Sequence, residues 1–290
     1  MLRRLAVAAP PVSIVVLKFG GEIVADPTAL AGTLRDVRVL VDRGERVAIV
    51  HGGGPQTLRL SEALSLPERK VAGQRVTDAA TLQVVKQTLA GEVAIDVVAA
   101  AVSNDVRAVG LSGVSAGMIS ATRRPVARVE GGGDEPVDYG FVGDIDRVDT
   151  TVLTHLWAGG FVPVLNPLGV ATDGPEVGQV FNINGDTAAA AVAGALQADH
   201  LLLVTAVGGV RRDRDDPDST IPQLTPRAAK AAIADGTIAG GMIPKVSEAL
   251  RYLSHGIKAV HIVGPGPDRI AQAVEQPGRH GTVLVPDASD

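Results

Sequence analysis

The chain contains no cysteine, which excludes disulfides, thiolate metal sites and cysteine nucleophiles and fits a cytoplasmic protein. Aromatic residues are only 2% of its 290 residues. Alanine, valine and glycine take their place, so the core is expected to be aliphatic, with helices that pack closely on their neighbours. No run of about 18 uninterrupted apolar residues occurs, so no membrane span is expected. Basic residues are outnumbered by acidic ones, giving a net charge of −5. Nucleic-acid phosphates are held by clustered lysine and arginine, so no nucleic-acid partner is expected. A local basic site for a small anion stays open.

Several catalytic signatures are also missing. No lysine follows a glycine, which excludes the Gly-x-x-x-x-Gly-Lys-Ser/Thr phosphate loop. His-Arg-Asp and Asp-Phe-Gly are absent, which excludes a protein kinase. The six histidines lack the paired spacing of metal ligands, so no metal-binding residues are expected. Residues 1–9 look like a short secretory leader, but Pro10-Pro11 interrupts the apolar run. The residues that follow read as a buried strand that cleavage would damage, so no leader is expected.

What is present suits α/β layering. A hydrophobic content of 46% is ample for one large domain or two lobes sharing a core. Residues 14–18 read as a buried strand ended by Gly20-Gly21, Leu30, Leu34, Val37 and Val41 recur at helical spacing, and residues 47–51 form a second strand entering Gly52-Gly53-Gly54. Strand, helix and strand within about 35 residues make a parallel unit with a right-handed crossover. Both strands therefore end in glycine turns at one sheet edge, where open α/β sheets bind ligands. Further strands are expected at residues 107–111, 161–165, 200–204, 259–263 and 281–285, and a hairpin between residues 118–121 and 126–129.

Residues 181–187, Phe-Asn-Ile-Asn-Gly-Asp-Thr, separate a strand from an alanine-rich helix. Such a helix start offers free N–H groups and a positive dipole end to an anion. Asp186 there has two readings, a helix cap or a carboxylate holding two cations that face an anionic ligand. Lysine is scarce, so Lys18 beside Gly20-Gly21 and Lys245 after Gly240-Gly241 stand out. Taken singly, Lys18 reads equally as a strand-end lysine reaching solvent, Lys245 as an exposed first-turn residue, and the triple glycine as a plain turn.

Five motifs in one order are far more specific. Lys18-Phe19-Gly20-Gly21, His51-Gly52-Gly53-Gly54-Pro55-Gln56, Gly73-Gln74-Arg75-Val76-Thr77-Asp78, Asn182-Ile183-Asn184-Gly185-Asp186-Thr187 and Gly240-Gly241-Met242-Ile243-Pro244-Lys245 resemble the amino-acid kinase family across residues 14–285. Within that family they are most similar to the acetylglutamate kinases. The resemblance implies an α/β fold: a three-layer αβα sandwich with a mainly parallel open sheet, in two lobes. Residues 13–170 would bind the amino acid and residues 171–286 ATP. It implies phosphorylation of the γ-carboxylate of N-acetyl-L-glutamate, the second step of arginine biosynthesis, with Mg²⁺ carried mainly on ATP. By position, Lys18 and Lys245 would stabilise the transferring phosphoryl group and Asp186 would orient both. Gly53, Gly54, Arg75 and Asn182 would hold the substrate. The nucleotide would lie along Gly20, Gly21, Ala206, Val207, Gly208, Gly209, Val210, Arg211, Thr237, Ile238 and Ala239. A cytoplasmic homodimer with weak or no arginine feedback is expected, because the N-terminal extension is too short for the helix that builds arginine-inhibited hexamers in this family.

The pattern departs from the family in places. Ala206 stands where aspartate is usual, Gly91-Glu92-Val93-Ala94 where Gly-Lys-Val-Asn is usual, and residues 112–116 lack the usual Lys-Asp. Two other readings remain: a kinase acting on carrier-protein-bound aminoadipate in lysine biosynthesis, and a catalytically silent ligand-binding paralogue.

Overall fold

A computed structural model describes residues 12–213, 216–240 and 242–287. The leader-like residues 1–9 lie outside them, as does most of the short N-terminal extension. The first half of the chain runs β1 (Ile14–Phe19), α1 (Gly21–Val24), α2 (Pro27–Asp42), β2 (Arg46–His51), α3 (Gly54–Ala63), β3 (Lys70–Val71), β4 (Gln74–Arg75), α4 (Ala79–Lys86), α5 (Ala94–Ser103), β5 (Ala108–Ser112), β6 (Ile119–Arg123) and β7 (Gly143–Val148). The second runs α6 (Thr151–Ala158), β8 (Val162–Asn166), β9 (Leu168–Val170), β10 (Val180–Asn182), α7 (Gly185–Ala195), β11 (His200–Val204), β12 (Gln223–Leu224), α8 (Pro226–Ala234), α9 (Met242–Leu253), β13 (Ala259–Val263), α10 (Arg269–Glu275) and β14 (Gly281–Leu284).

Eight strands make one sheet, in the order β12-β14-β13-β11-β1-β2-β8-β5. Every neighbouring pair is parallel except β13 with β14. The expected mainly parallel sheet is therefore present, and it continues through both expected lobes because β1 pairs directly with β11. Strands buried on both faces read as continuous apolar runs, and β1 shows why. Val15, Leu17 and Phe19 pack with Leu34 and Val37 of α2, Val97 of α5 and Ile270 of α10. Val16, pointing the other way, joins a core with Ala189 and Val192 of α7 and Val246 and Ala249 of α9. Helices thus cover both faces, giving three layers.

Local chemistry sets the helix starts. Asp26 accepts hydrogen bonds from the Thr28 and Ala29 amides at the start of α2, with Pro27 at its first position. Asp78 caps α4 through the Thr81 amide, and Thr225 caps α8 through the Ala228 amide. Among the described residues no helix is long and apolar enough to cross a membrane.

Four strands form a second sheet, β10-β9-β6-β7, and here the expected hairpin is corrected. β6 pairs antiparallel with β7, not with residues 126–129, which lie in the excursion between them, where Ala127 bridges to Val137. Strand β7 carries Asp144, Asp146 and Arg147, so its polar side hides it from a reading based on hydrophobicity. β9 and β10 have three residues each, too few to show a period.

Asp36 of α2 is 1% exposed and reaches the start of α10. Its carboxylate accepts from the backbone amides of Asp268 and Ile270, both at 2.7 Å. Replacing Asp36 with alanine leaves buried N–H donors without a partner, so unfolding free energy measured in urea should fall by about 2–4 kcal/mol. An unchanged urea midpoint would remove this tie from the account.

Candidate active site

β1 and β2 end side by side, Phe19 opposite His51, and the glycine turns after them are packed against each other. A Cβ on Gly21 would stand 2.2 Å from Gln56 Oε1 and 2.8 Å from Gly53 Cα, so that position admits only glycine. Gln56 Nε2 in turn donates to the Gly21 carbonyl at 2.8 Å, fixing one turn on the other. Helix α3 starts from this junction at Gly54, and α7 starts nearby at Gly185. Two helix N-termini thus open onto a cleft of about 320 Å³, a setting that favours anions.

Asn184, rather than Asp186, is the cap of α7. Its Oδ1 accepts from the Asp186 and Thr187 amides at 2.9 and 3.1 Å. That leaves the Asp186 carboxylate free to pair with Lys18, Nζ to Oδ1 2.9 Å. The Lys18 side chain is 13% exposed, and a partly buried ammonium needs such a partner. Ala188, Ala189, Ala190 and Ala193 are essentially buried, so the small residues that lower the aromatic content also let α7 lie close to β1.

The same cleft is lined by Gly53, Gly54, Arg75 and Asn182, with Gly20 and Gly21. Arg75 is on β4 of the two-stranded hairpin, where its Nη2 meets Glu68 Oε1 at 2.7 Å. Burial lowers the Arg75 pKa, and the Glu68 charge opposes this. Asn182 donates from Nδ2 to Thr77 Oγ1 at 3.1 Å, and Thr77 is fully buried, so the amide orientation is set from behind.

Lys245 lies elsewhere. It lines a larger cleft of about 1000 Å³ together with Ala206, Val207, Arg211, Thr237, Ile238 and Ala239, and among the described residues it has no ion pair. Of the remaining residues expected at the nucleotide, Gly208 is a turn residue at φ 73°, and Gly209 and Val210 are buried. The Val210 amide donates to Thr282 Oγ1 and its carbonyl accepts from the Ile221 amide, so neither group faces a ligand. Gly20 and Gly21 belong to the smaller cleft. Asp186 therefore meets one of its two expected lysines here.

The face of α9 that carries Lys245 also presents Glu248 and Tyr252, at helical spacing. Burial and then the Asp186 charge push the Glu248 carboxyl up. Burial, Glu248 and Asp186 push the Tyr252 phenol up. The side of α9 that carries Lys245 thus feels the Asp186 charge. Sequence reasoning missed these two residues, although the three-residue step from Lys245 to Glu248 and the four-residue step from Glu248 to Tyr252 were a usable signal. It also missed Glu68 and Thr77, each visible only once the fold brings it to its partner. A Gly-x-Ser-x-Gly elbow is expected to be absent from the sequence, and that expectation is corrected in part, since the run at residues 113–117 spells the pattern. It is no nucleophile elbow: the positive φ falls on Ala116, at 54°, and Ser115 Oγ accepts from the Ser112 amide.

Comparison with known proteins adds independent findings. The model of the amino acid kinase family matches residues 13–264. The acetylglutamate kinase of Anaeromyxobacter dehalogenans (strain 2CP-C) is 48% identical over 271 residues, covering 93% of this chain and 98% of that protein. That of Sorangium cellulosum (strain So ce56) is 48% identical over 272 residues, with coverages of 93% and 94%. Among solved structures, N-acetylglutamate synthase from Neisseria gonorrhoeae, in complex with coenzyme A and N-acetyl-glutamate, superposes with a TM-score of 0.73 at 26% identity. The match spans 96% of this chain and 60% of that one.

His51, fully buried behind the triple glycine, supplies a test of this edge. Burial lowers its pKa from 6.5 to about 4, so the folded protein holds it neutral where an unfolded chain protonates. The stability it contributes is full above pH 6.5 and is lost as pH falls towards about 4. Urea unfolding at stepped pH should therefore show a steeper loss for the wild type than for His51→Asn across this window. Parallel profiles would contradict it.

Proposed function

The chain belongs to the amino acid kinase family, and we propose that it transfers the γ-phosphoryl group of ATP to the γ-carboxylate of N-acetyl-L-glutamate, the second step of arginine biosynthesis. The observation that carries this reading is the meeting of the Lys18–Asp186 pair with Gly53, Gly54, Arg75 and Asn182 on one cleft, in a chain 48% identical to curated acetylglutamate kinases.

The acceptor carboxylate is ionised at neutral pH, so no general base is needed. Its oxygen attacks the γ-phosphorus, the bond to the bridging oxygen breaks, and the electron pair leaves on ADP. The barrier is repulsion between two anions and charge on the equatorial oxygens. Lys18 offsets that charge from the acceptor side, and Asp186 keeps its ammonium in place. Lys245, which lines the larger cleft, meets the phosphoryl group from the nucleotide side, and Asp186 orients it when the two clefts close on their ligands. Arg75 holds the α-carboxylate with its planar fork. The backbone at Gly53 and Gly54 and the amide of Asn182 hold the rest of the substrate.

ATP occupies the larger cleft, where Ala206 and Val207 are exposed and offer apolar contact in place of the hydrogen bond an aspartate would make. Mg²⁺, when bound, draws charge from the phosphate oxygens. The donors near the transferring group are mainly lysines, and among the described residues no three His, Cys, Asp or Glu side chains converge as a cage. This set suits a metal held by the nucleotide, with Asp186 and Glu22 the carboxylates lining the smaller cleft. A cytoplasmic homodimer completes the reading. Its subunit contact is supported by exposed Ile95 and Val102, about two turns apart on one face of α5, which packs against β5 at the open sheet edge.

An ATP-dependent assay that traps acyl phosphate with hydroxylamine tests the substrate. N-acetylglutamate with Mg²⁺ should give hydroxamate, and glutamate and aminoadipate little. No product from N-acetylglutamate in folded protein would sink the reading, and product from aminoadipate alone would transfer it to the lysine-pathway alternative.

A further inference from the structure

The hairpin that carries Arg75 contains an electrostatic conflict. Lys70 and Arg75 are direct cross-strand partners, and like charges so placed destabilise a ladder. Glu68 stands between them, with Oε2 2.8 Å from Lys70 Nζ and Oε1 2.7 Å from Arg75 Nη2. The Glu68 and Arg75 side chains are 15% and 12% exposed, whereas Lys70 is 50% exposed. The buried half of the cluster is thus the Glu68–Arg75 contact.

That contact is ionic without being an aligned hydrogen bond, and Arg75 Nη1 is buried with no partner at all. A buried guanidinium nitrogen without an acceptor is costly, yet Arg75 lines the smaller cleft. Glu68 therefore holds the guanidinium by charge while leaving its donors uncommitted. The three side chains together carry one positive charge, the complement of one carboxylate.

We infer that Glu68 is a positioning residue that aims Arg75 at the α-carboxylate of the amino-acid substrate and so sets the preference for substrates that bear this group. The inference rests on the acceptor proposed above. Lys70 has a lesser part: it neutralises the second oxygen of Glu68 from the solvent side.

The test compares N-acetylglutamate with 4-acetamidobutanoate, the same skeleton without the α-carboxylate, in the hydroxamate assay. Glu68→Gln, which keeps shape and removes charge, should raise KM for N-acetylglutamate by about tenfold or more, the worth of a charged hydrogen bond. kcat should change little, and KM for 4-acetamidobutanoate should stay within about twofold. The preference for N-acetylglutamate therefore shrinks. Glu68→Asp should recover part of it, and Lys70→Ala should leave it intact.

A purely structural role would depress both substrates together and leave the preference unchanged, and that result overturns the inference, as does tighter binding of N-acetylglutamate by Glu68→Gln. Thermal melting of each variant identifies a folding defect; should Glu68→Gln have one, Glu68→Ala assayed below its melting temperature decides, and a preference equal to that of the wild type rejects the role. A wild type inactive on both compounds rejects the acceptor itself and this inference with it, whereas an active wild type with unmoved preferences rejects only Glu68.

Discussion

The ion pair between Lys18 and Asp186 depends on nearly every level of the fold, and the site depends on it. One partner ends β1 and the other begins α7, separated by most of the chain. They meet at 2.9 Å because β1 is held between β11 and β2 and because α7 presents alanines to it. A chain with larger side chains on α7 would move Asp186 away from the strand. The shortage of aromatics is thus connected to the chemistry through packing distance.

A division of labour at the helix start makes the pair available. A carboxylate engaged as a cap would be tied to backbone amides, but Asn184 satisfies those donors and Asp186 keeps its charge for a cation. The same economy recurs at Arg75, whose partner Glu68 restrains it without saturating it, and at Asn182, fixed from behind by Thr77. The residues proposed to touch ligand are each held by a neighbouring side chain, which is the arrangement a preorganised site requires.

Much of this was legible in the residues themselves. The strands of the main sheet announce themselves as short apolar runs because both faces are buried, and the glycine turns mark the edge where ligands bind. The ordered motifs led to the family. What stayed hidden is non-local or short. β7 is half polar and pairs across a long excursion, β9 and β10 have no length over which a period could appear, and Glu68 gains meaning only from the register that sets Lys70 against Arg75. Asp186 was read as either a cap or a cation partner, and only the geometry of Asn184 separates the two. Gly209 and Val210 follow a family pattern in sequence but are buried in space.

Lys245 bears on the central claim most directly, because it has no ion pair among the described residues and lines the other cleft. If phosphoryl transfer takes place between the two clefts, its contact belongs to the transition state. Steady-state kinetics of Lys245→Ala should then show kcat reduced by about a hundredfold or more with KM for N-acetylglutamate nearly unchanged. A change confined to KM, with kcat intact, would contradict the account.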